Sequence, residues 1–252
     1  MSSARRGLLD RLFALGQPRW DAALRPGPRP IAEGLYAIER RFFLPGGTAM
    51  PTRSLAVRTP DGGLAVLSPM PDEDARRDVA ILGPVRFLVA PNPFHYVGLA
   101  SWAARFPEAR VFLAPGLRAR RPELPPGDDL AEGAETPFAS VLAHTVLGPI
   151  RGVSEVAFLH RPSRTLILTD ACFHILEAPR ARDRLVFRMI GVWRHFGPSL
   201  TARTILLRDR AQVASFVERM CRWDFERIVV AHGEVLEPAG REALCAAFRS
   251  YL

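Results

Sequence analysis

Two imidazoles and a carboxylate stand just beyond apolar runs in this chain. Thr165-Leu166-Ile167-Leu168 suits a strand buried on both faces, and it delivers Thr169-Asp170 at its C-terminal end. An ionised Asp there needs a cation, a metal or several hydrogen-bond donors facing it. Arg227-Ile228-Val229-Val230-Ala231 runs in the same way into His232-Gly233. A third apolar run, over 85–90, leads to Asn92-Pro93-Phe94-His95. Because each follows an apolar strand, His95, Asp170 and His232 are expected to converge in one cleft at the C-terminal strand ends. Each also has a plainer reading: Asp170 can cap a following turn, and His232-Gly233 can be a turn with Gly233 left-handed. His174, four residues after Asp170, can share a helical face with it, and Asn92 lies three before His95; both are possible extra partners. His144, His160 and His195 read as ordinary hydrogen-bonded histidines, and the three cysteines as buried apolar residues. The sequence holds no Gly-rich phosphate loop, nucleophile elbow or zinc-finger spacing.

The elements that must position these groups can be read in order. Residues 1–30 form an N-terminal arm, with a short apolar stretch beside Arg5, Arg6 and Arg11 and then Pro18, Pro26, Pro28 and Pro30, which oppose regular structure. One domain is expected over 31–252. Strands are predicted over 34–39, 54–59, 64–68, 85–90 and 110–114, the second and third joined by Pro60-Asp61-Gly62-Gly63. Asp72, Glu73 and Asp74 favour a helix start, and a second helix is expected from about 97 to 105. Further strands are predicted over 138–146 and 155–159, the latter turning through Arg161-Pro162-Ser163-Arg164 into 165–168. Helices are expected over 176–196, able to line or cap a cleft, over 208–223, with Val213, Phe216, Val217 and Met220 on one stripe, and from Pro238 at the first helical position onward.

Composition narrows the class. The chain has 252 residues, 48% hydrophobic and 24% charged, as expected of one globular domain. Net charge is +8, and all 34 basic residues are Arg. That is the signature of a codon bias, and the charge reads as generic, with no specific nucleic-acid partner expected. Three cysteines without a CxxC spacing suit a reducing cytoplasm. Neither a signal peptide nor a transmembrane segment is expected: the longest uncharged run, 87–104, contains Pro91, Asn92, Pro93 and His95.

The order strand, turn, strand, Thr169-Asp170, followed much later by strand and Ala231-His232-Gly233, resembles the second half of the metallo-β-lactamase fold. Trp223 to Glu234, with Asn92-Pro93-Phe94-His95 upstream, resembles an uncharacterised bacterial branch of that superfamily, a domain of unknown function. The resemblance implies an α/β four-layer sandwich of αββα type, two mixed β-sheets face to face with helices outside. It also implies a degenerate site. Where complete members carry His-x-His-x-Asp-His, this chain has Pro91, Pro93, His95 and Tyr96, and the later ligand His is replaced around Ile150, Arg151 and Gly152. His95, Asp170 and His232 map to the second metal position, so at most one divalent ion, zinc or iron, is implied. Asp170 and His232 would then also serve in catalysis, through a water activated for ester, thioester, amide or phosphoester hydrolysis. The alternative is a metal-free pseudoenzyme or binding domain for an anionic small molecule, with no cofactor and Asp170 hydrogen-bonded to His95 or His232.

Overall fold

The structure is a computed structural model and describes residues 20–21, 27–44, 46–150 and 152–252. Two sheets divide the chain between them. The first takes β1 (Trp20–Asp21), β2 (Arg29–Ala32), β3 (Leu35–Phe43), β4 (Ala49–Arg58), β5 (Leu64–Leu67), β6 (Val85–Ala90), β7 (Arg110–Leu113) and β8 (Asp128–Asp129). Its order is β1-β3-β4-β5-β6-β7-β8, with β2 also paired to β3. Pairing is antiparallel from β1 to β5 and parallel from β5 to β8. The second sheet takes β9 (Leu142–Ile150), β10 (Val153–His160), β11 (Thr165–Leu168) and, after the short pair β12 (Phe173–His174) and β13 (Phe196–Gly197), β14 (Arg227–Val230). Its order is β14-β11-β10-β9, and only β11 and β14 run parallel.

Burial defines four layers. Between the sheets, Leu35, Leu55, Leu67, Val89 and Phe112 meet Val146, Val156, Phe158, Ile167 and Val229. The outer side of the first sheet packs on α1 (Glu73–Leu82), α2 (Leu99–Arg105) and α3 (Leu117–Arg120) through Val79, Leu99, Trp102 and Leu117. The outer side of the second is covered by α6 (Arg210–Cys221) and α7 (Gly240–Phe248), with α4 (Ala181–Met189) and α5 (Leu200–Ile205) preceding them in the chain. The stripe of Val213, Phe216, Val217 and Met220 is the buried face of α6. This is the expected four-layer sandwich with mixed sheets. Because β10 and β11 are sandwiched on both faces, every residue in them is buried, which explains their largely apolar character, and the buried Ser154, Glu155, His160 and Thr165 are each hydrogen-bonded.

Several boundaries differ from those expected. Trp20–Asp21 and Arg29–Ala32 pair with β3, so the first sheet begins ahead of residue 31. Pro30 is tolerated there because an edge strand need not offer every N–H. The rest of the expected arm, 1–19 and 22–26, lies outside the described residues. The helix expected over 176–196 is confined to Ala181–Met189, with extended chain on either side. Pro179 excludes an earlier start, and Gly191, at φ 73°, turns the chain away. The strand expected over 138–146 is shifted to Leu142–Ile150, since Phe138 turns inward against Phe87 and Phe112. Pro238 precedes the last helix by two residues instead of opening it. Among the described residues no helix is long and apolar enough to cross a membrane.

Candidate metal centre

Three strand ends meet at one place. Beyond β6, the Asn92 side-chain oxygen accepts hydrogen bonds from the backbone N–H of Phe94 (2.8 Å) and of His95 (2.9 Å), folding the chain into a turn that presents His95. Its amide nitrogen faces the other way and donates to Asp170 Oδ2 at 2.7 Å, Glu155 Oε2 at 2.8 Å and Thr169 Oγ1 at 3.0 Å. One buried side chain thus shapes the His95 turn and tethers Asp170.

Beyond β11, Asp170 sits in a loop held from β10. Glu155 Oε1 accepts from Thr169 N (2.9 Å), Thr169 Oγ1 (2.5 Å) and Ala171 N (3.2 Å). Beyond β14, His232 is fixed by the first sheet. Its Nδ1 lies 2.9 Å from the Pro51 carbonyl of β4. A carbonyl can only accept, so Nδ1 carries a proton, and in the neutral ring the lone pair is on Nε2. The His232 ring stacks on Phe173 at 5.1 Å and 11°. Arg53, also on β4, donates to the carbonyls of Val230 and Gly233 on either side of His232.

The result is a triangle. His95 Nε2 and His232 Nε2 are 3.2 Å apart, His95 Nε2 and Asp170 Oδ2 3.4 Å, and His232 Nε2 and Asp170 Oδ1 3.4 Å. Ligand atoms at ~2.0–2.2 Å from a tetrahedral ion lie roughly 3.3–3.6 Å from one another. The 3.2 Å between the two imidazole nitrogens, the N/O donor set and the neutral tautomer of His232 suit such an ion, with each Asp170 oxygen facing a different imidazole, and these three residues form the group able to hold one among the described residues. Two carboxyls respond to this setting in opposite senses. Burial, with Asp170 close by, raises Glu155 to about 7 against the donors that surround it. Burial would also raise Asp170, but the imidazoles of His95 and His232 pull it well below the usual carboxylate range.

Residues 34–185 match the family described as a domain of unknown function, DUF4336. The chain belongs to this family. No curated protein matches it in sequence. Among solved structures, the metal-soaked Flv1 flavodiiron core from Synechocystis sp. PCC6803 aligns with TM-score 0.60 and 10% identity, over 89% of this chain and 60% of that one. The flavodiiron protein from Giardia intestinalis aligns with TM-score 0.62 and 13% identity, over 90% and 59% respectively. The DUF4336 chain therefore spans about 60% of the flavodiiron chains. The mono-zinc form of the metallo-β-lactamase FIM-1 from Pseudomonas aeruginosa aligns with TM-score 0.59 and 14% identity, over 89% of this chain and 93% of that one. The fold is the metallo-β-lactamase fold.

Other candidates in the DUF4336 chain lie elsewhere. His174 is outside the triangle, with Nδ1 donating to the Glu234 carbonyl at 3.0 Å. Asn92 adjoins the triangle, with both ends of its amide already engaged. His144 meets the Ala131 carbonyl and His160 meets Ser163 Oγ. Cys172 is buried, and Cys221 and Cys245 are half-buried, all three free. Three residues that shape the site, Pro51, Arg53 and Glu155, escaped the sequence reading. The signal for Glu155 was present: a carboxylate within a strand whose next four residues, Val156 to Leu159, are all apolar. Nothing near Pro51 or Arg53 marks them, since they act across the sandwich on a segment about 180 residues away.

Proposed function

We propose that His95, Asp170 and His232 hold one divalent cation, zinc or iron, and that the chain is a metallo-β-lactamase-like hydrolase acting on an ester, thioester, amide or phosphoester. The observation that carries this reading is the meeting of the two imidazole nitrogens, 3.2 Å apart, with the Asp170 carboxylate, which sets a different oxygen 3.4 Å from each, while Pro51 fixes the His232 ring and Asn92 holds Asp170. The presence of Pro91, Pro93 and Tyr96 where a first metal position would need His supports a single ion. A cation held there would lower the pKa of a bound water towards ~7 and polarise the substrate's carbonyl or phosphoryl oxygen. The chain's own part is to fix the donors. Pro51 holds the proton on His232 Nδ1, Asn92 orients Asp170, and Asp170, kept ionised, balances the positive charge. The three free cysteines accord with a reducing cytoplasm.

Elemental analysis of untagged protein tests the reading. One zinc or iron per chain is expected, lost in Asp170→Ala; a stoichiometry near two refutes the degenerate site. A value near zero, after reconstitution with zinc, iron or manganese, selects the second reading, a metal-free binding domain for an anionic small molecule. That reading draws on the same geometry, because the Asp170 oxygens already lie 3.4 Å from both imidazoles.

A further inference from the structure

Positive charge is unevenly placed along the chain. Between Glu177 and Asp209 there are seven arginines and one acidic residue, Asp183. Asp183 is buried, and Arg180 holds its carboxylate at 2.7 Å. The segment builds a lobe around α4 whose inner side, Phe187 and Val192, packs on Phe173, Ile175 and Met50. Its outer side is different. Leu185 and Met189, one turn apart on α4, are 57% and 61% exposed, and Leu200, at the start of α5, is 53% exposed. A Cβ on Gly191 would stand 3.2 Å from the Leu200 side chain, which brings Leu200 beside the end of α4. Three of the six large hydrophobics exposed among the described residues thus share this lobe. Around them stand exposed Arg188, Arg194 and Arg203, and the first two clasp the Trp193 ring at 5.7 and 5.4 Å.

Exposed leucine and methionine beside exposed arginines on one outer face combine the two things an anionic membrane surface takes, apolar groups for the headgroup–acyl boundary and cations for lipid phosphate. We propose that the outer face of this lobe docks on an anionic lipid bilayer. Leu185, Met189 and Leu200 enter the boundary between headgroups and acyl chains, and Arg188, Arg194 and Arg203 meet lipid phosphates. Charge selects this occupant over a second copy of the chain, which would bring the same arginines face to face. The apolar side chains select it over nucleic acid, whose phosphates would engage the arginines and leave Leu185 and Met189 without a role. The proposal is independent of the metal reading.

Co-sedimentation of the full-length chain with vesicles tests it. Binding is expected to phosphatidylcholine vesicles containing phosphatidylglycerol and not to phosphatidylcholine alone, and it should weaken as salt is raised. Arg188→Gln and Arg194→Gln should each weaken it roughly five-fold. Leu185→Glu with Met189→Glu should abolish it at unchanged thermal midpoint; Leu185→Ser with Met189→Gln serves if that pair misfolds. The proposal is overturned by absence of binding to the anionic vesicles, or by binding that the Leu185 and Met189 variants leave intact. It is also overturned by a dimer that those variants disperse, or by tighter binding of mixed-sequence DNA that they do not alter.

Discussion

Asn92 carries two tasks in one amide, and substitution separates them from the donors themselves. Asn92→Ala leaves His95, Asp170 and His232 in the sequence but frees the His95 turn and one oxygen of Asp170. Metal affinity should fall roughly 10–100-fold, in the range found when partners behind metal ligands are removed. Competition with a chromophoric chelator measures it, and an unchanged affinity would remove Asn92 from the positioning network. Gly233 is equally constrained. Its φ is +114°, and a Cβ there would lie 2.0 Å from the His174 carbonyl oxygen, a backbone atom with little room to move. Gly233→Ala should therefore displace His232 as well as destabilise the fold, with both metal retention and the urea midpoint reduced. At this scale the sequence is informative about ligands and poor about their supports. His95, Asp170 and His232 each follow an apolar run that can be seen in one dimension. The Pro51 carbonyl and the Arg53 guanidinium reach their targets only through the stacking of two sheets.

Among the elements, β4 contributes most to the site without supplying a donor to it. Arg53, 4% exposed, is paired to Glu39 Oε1 of β3 at 2.6 Å and reaches across to the loop that bears His232. Arg53→Met would take a buried cation away from Glu39 and remove the donor to two carbonyls. A loss of about 3–5 kcal/mol is expected, as for other broken buried pairs, measured by urea unfolding. Apolar periodicity reveals elements whose burial is decided by their own residues, such as α6 and β11. It misplaces those whose form depends on what packs against them. The 173–197 segment has helical composition, yet its ends are drawn into extended pairing, and His174 in β12 bridges to Gly233.

Across the molecule, four buried groups shape the response to acid. Burial lowers His160 to about 4, so the folded state resists its protonation. Stability from this residue is full above the unfolded value of ~6.5 and is lost as pH falls towards 4. Burial would raise Glu39, but Arg29 and Arg53 overcome it and hold the carboxyl at about 2. Its contribution, about 3 kcal/mol, is present above ~4.3 and disappears as pH falls towards 2. Glu155, raised to about 7, works against His160 in the same window, because the folded state takes up its proton first. Asp170, held below the usual carboxylate range, adds to the loss from Glu39 at lower pH. Stability should therefore stay nearly level from pH 7 to about pH 4 and fall below it, and His160→Phe should turn the level stretch into a rise as pH is lowered, as followed by urea midpoints between pH 7 and pH 3.

The division of the sheets along the chain has a further consequence. Every strand of the first sheet ends by Asp129 and every strand of the second starts at Leu142 or later, with a single connection between them that is mostly exposed between the buried Leu130 and Phe138. His95 belongs to the first part, and Asp170 and His232 to the second. The protein is thus a pair of complementary fragments that happen to be covalently joined. Cleavage near Gly133 should leave pieces that reassemble on mixing, driven by the apolar faces of the two sheets. Neither fragment alone contains the full triangle, so zinc or iron uptake becomes a readout of their reunion.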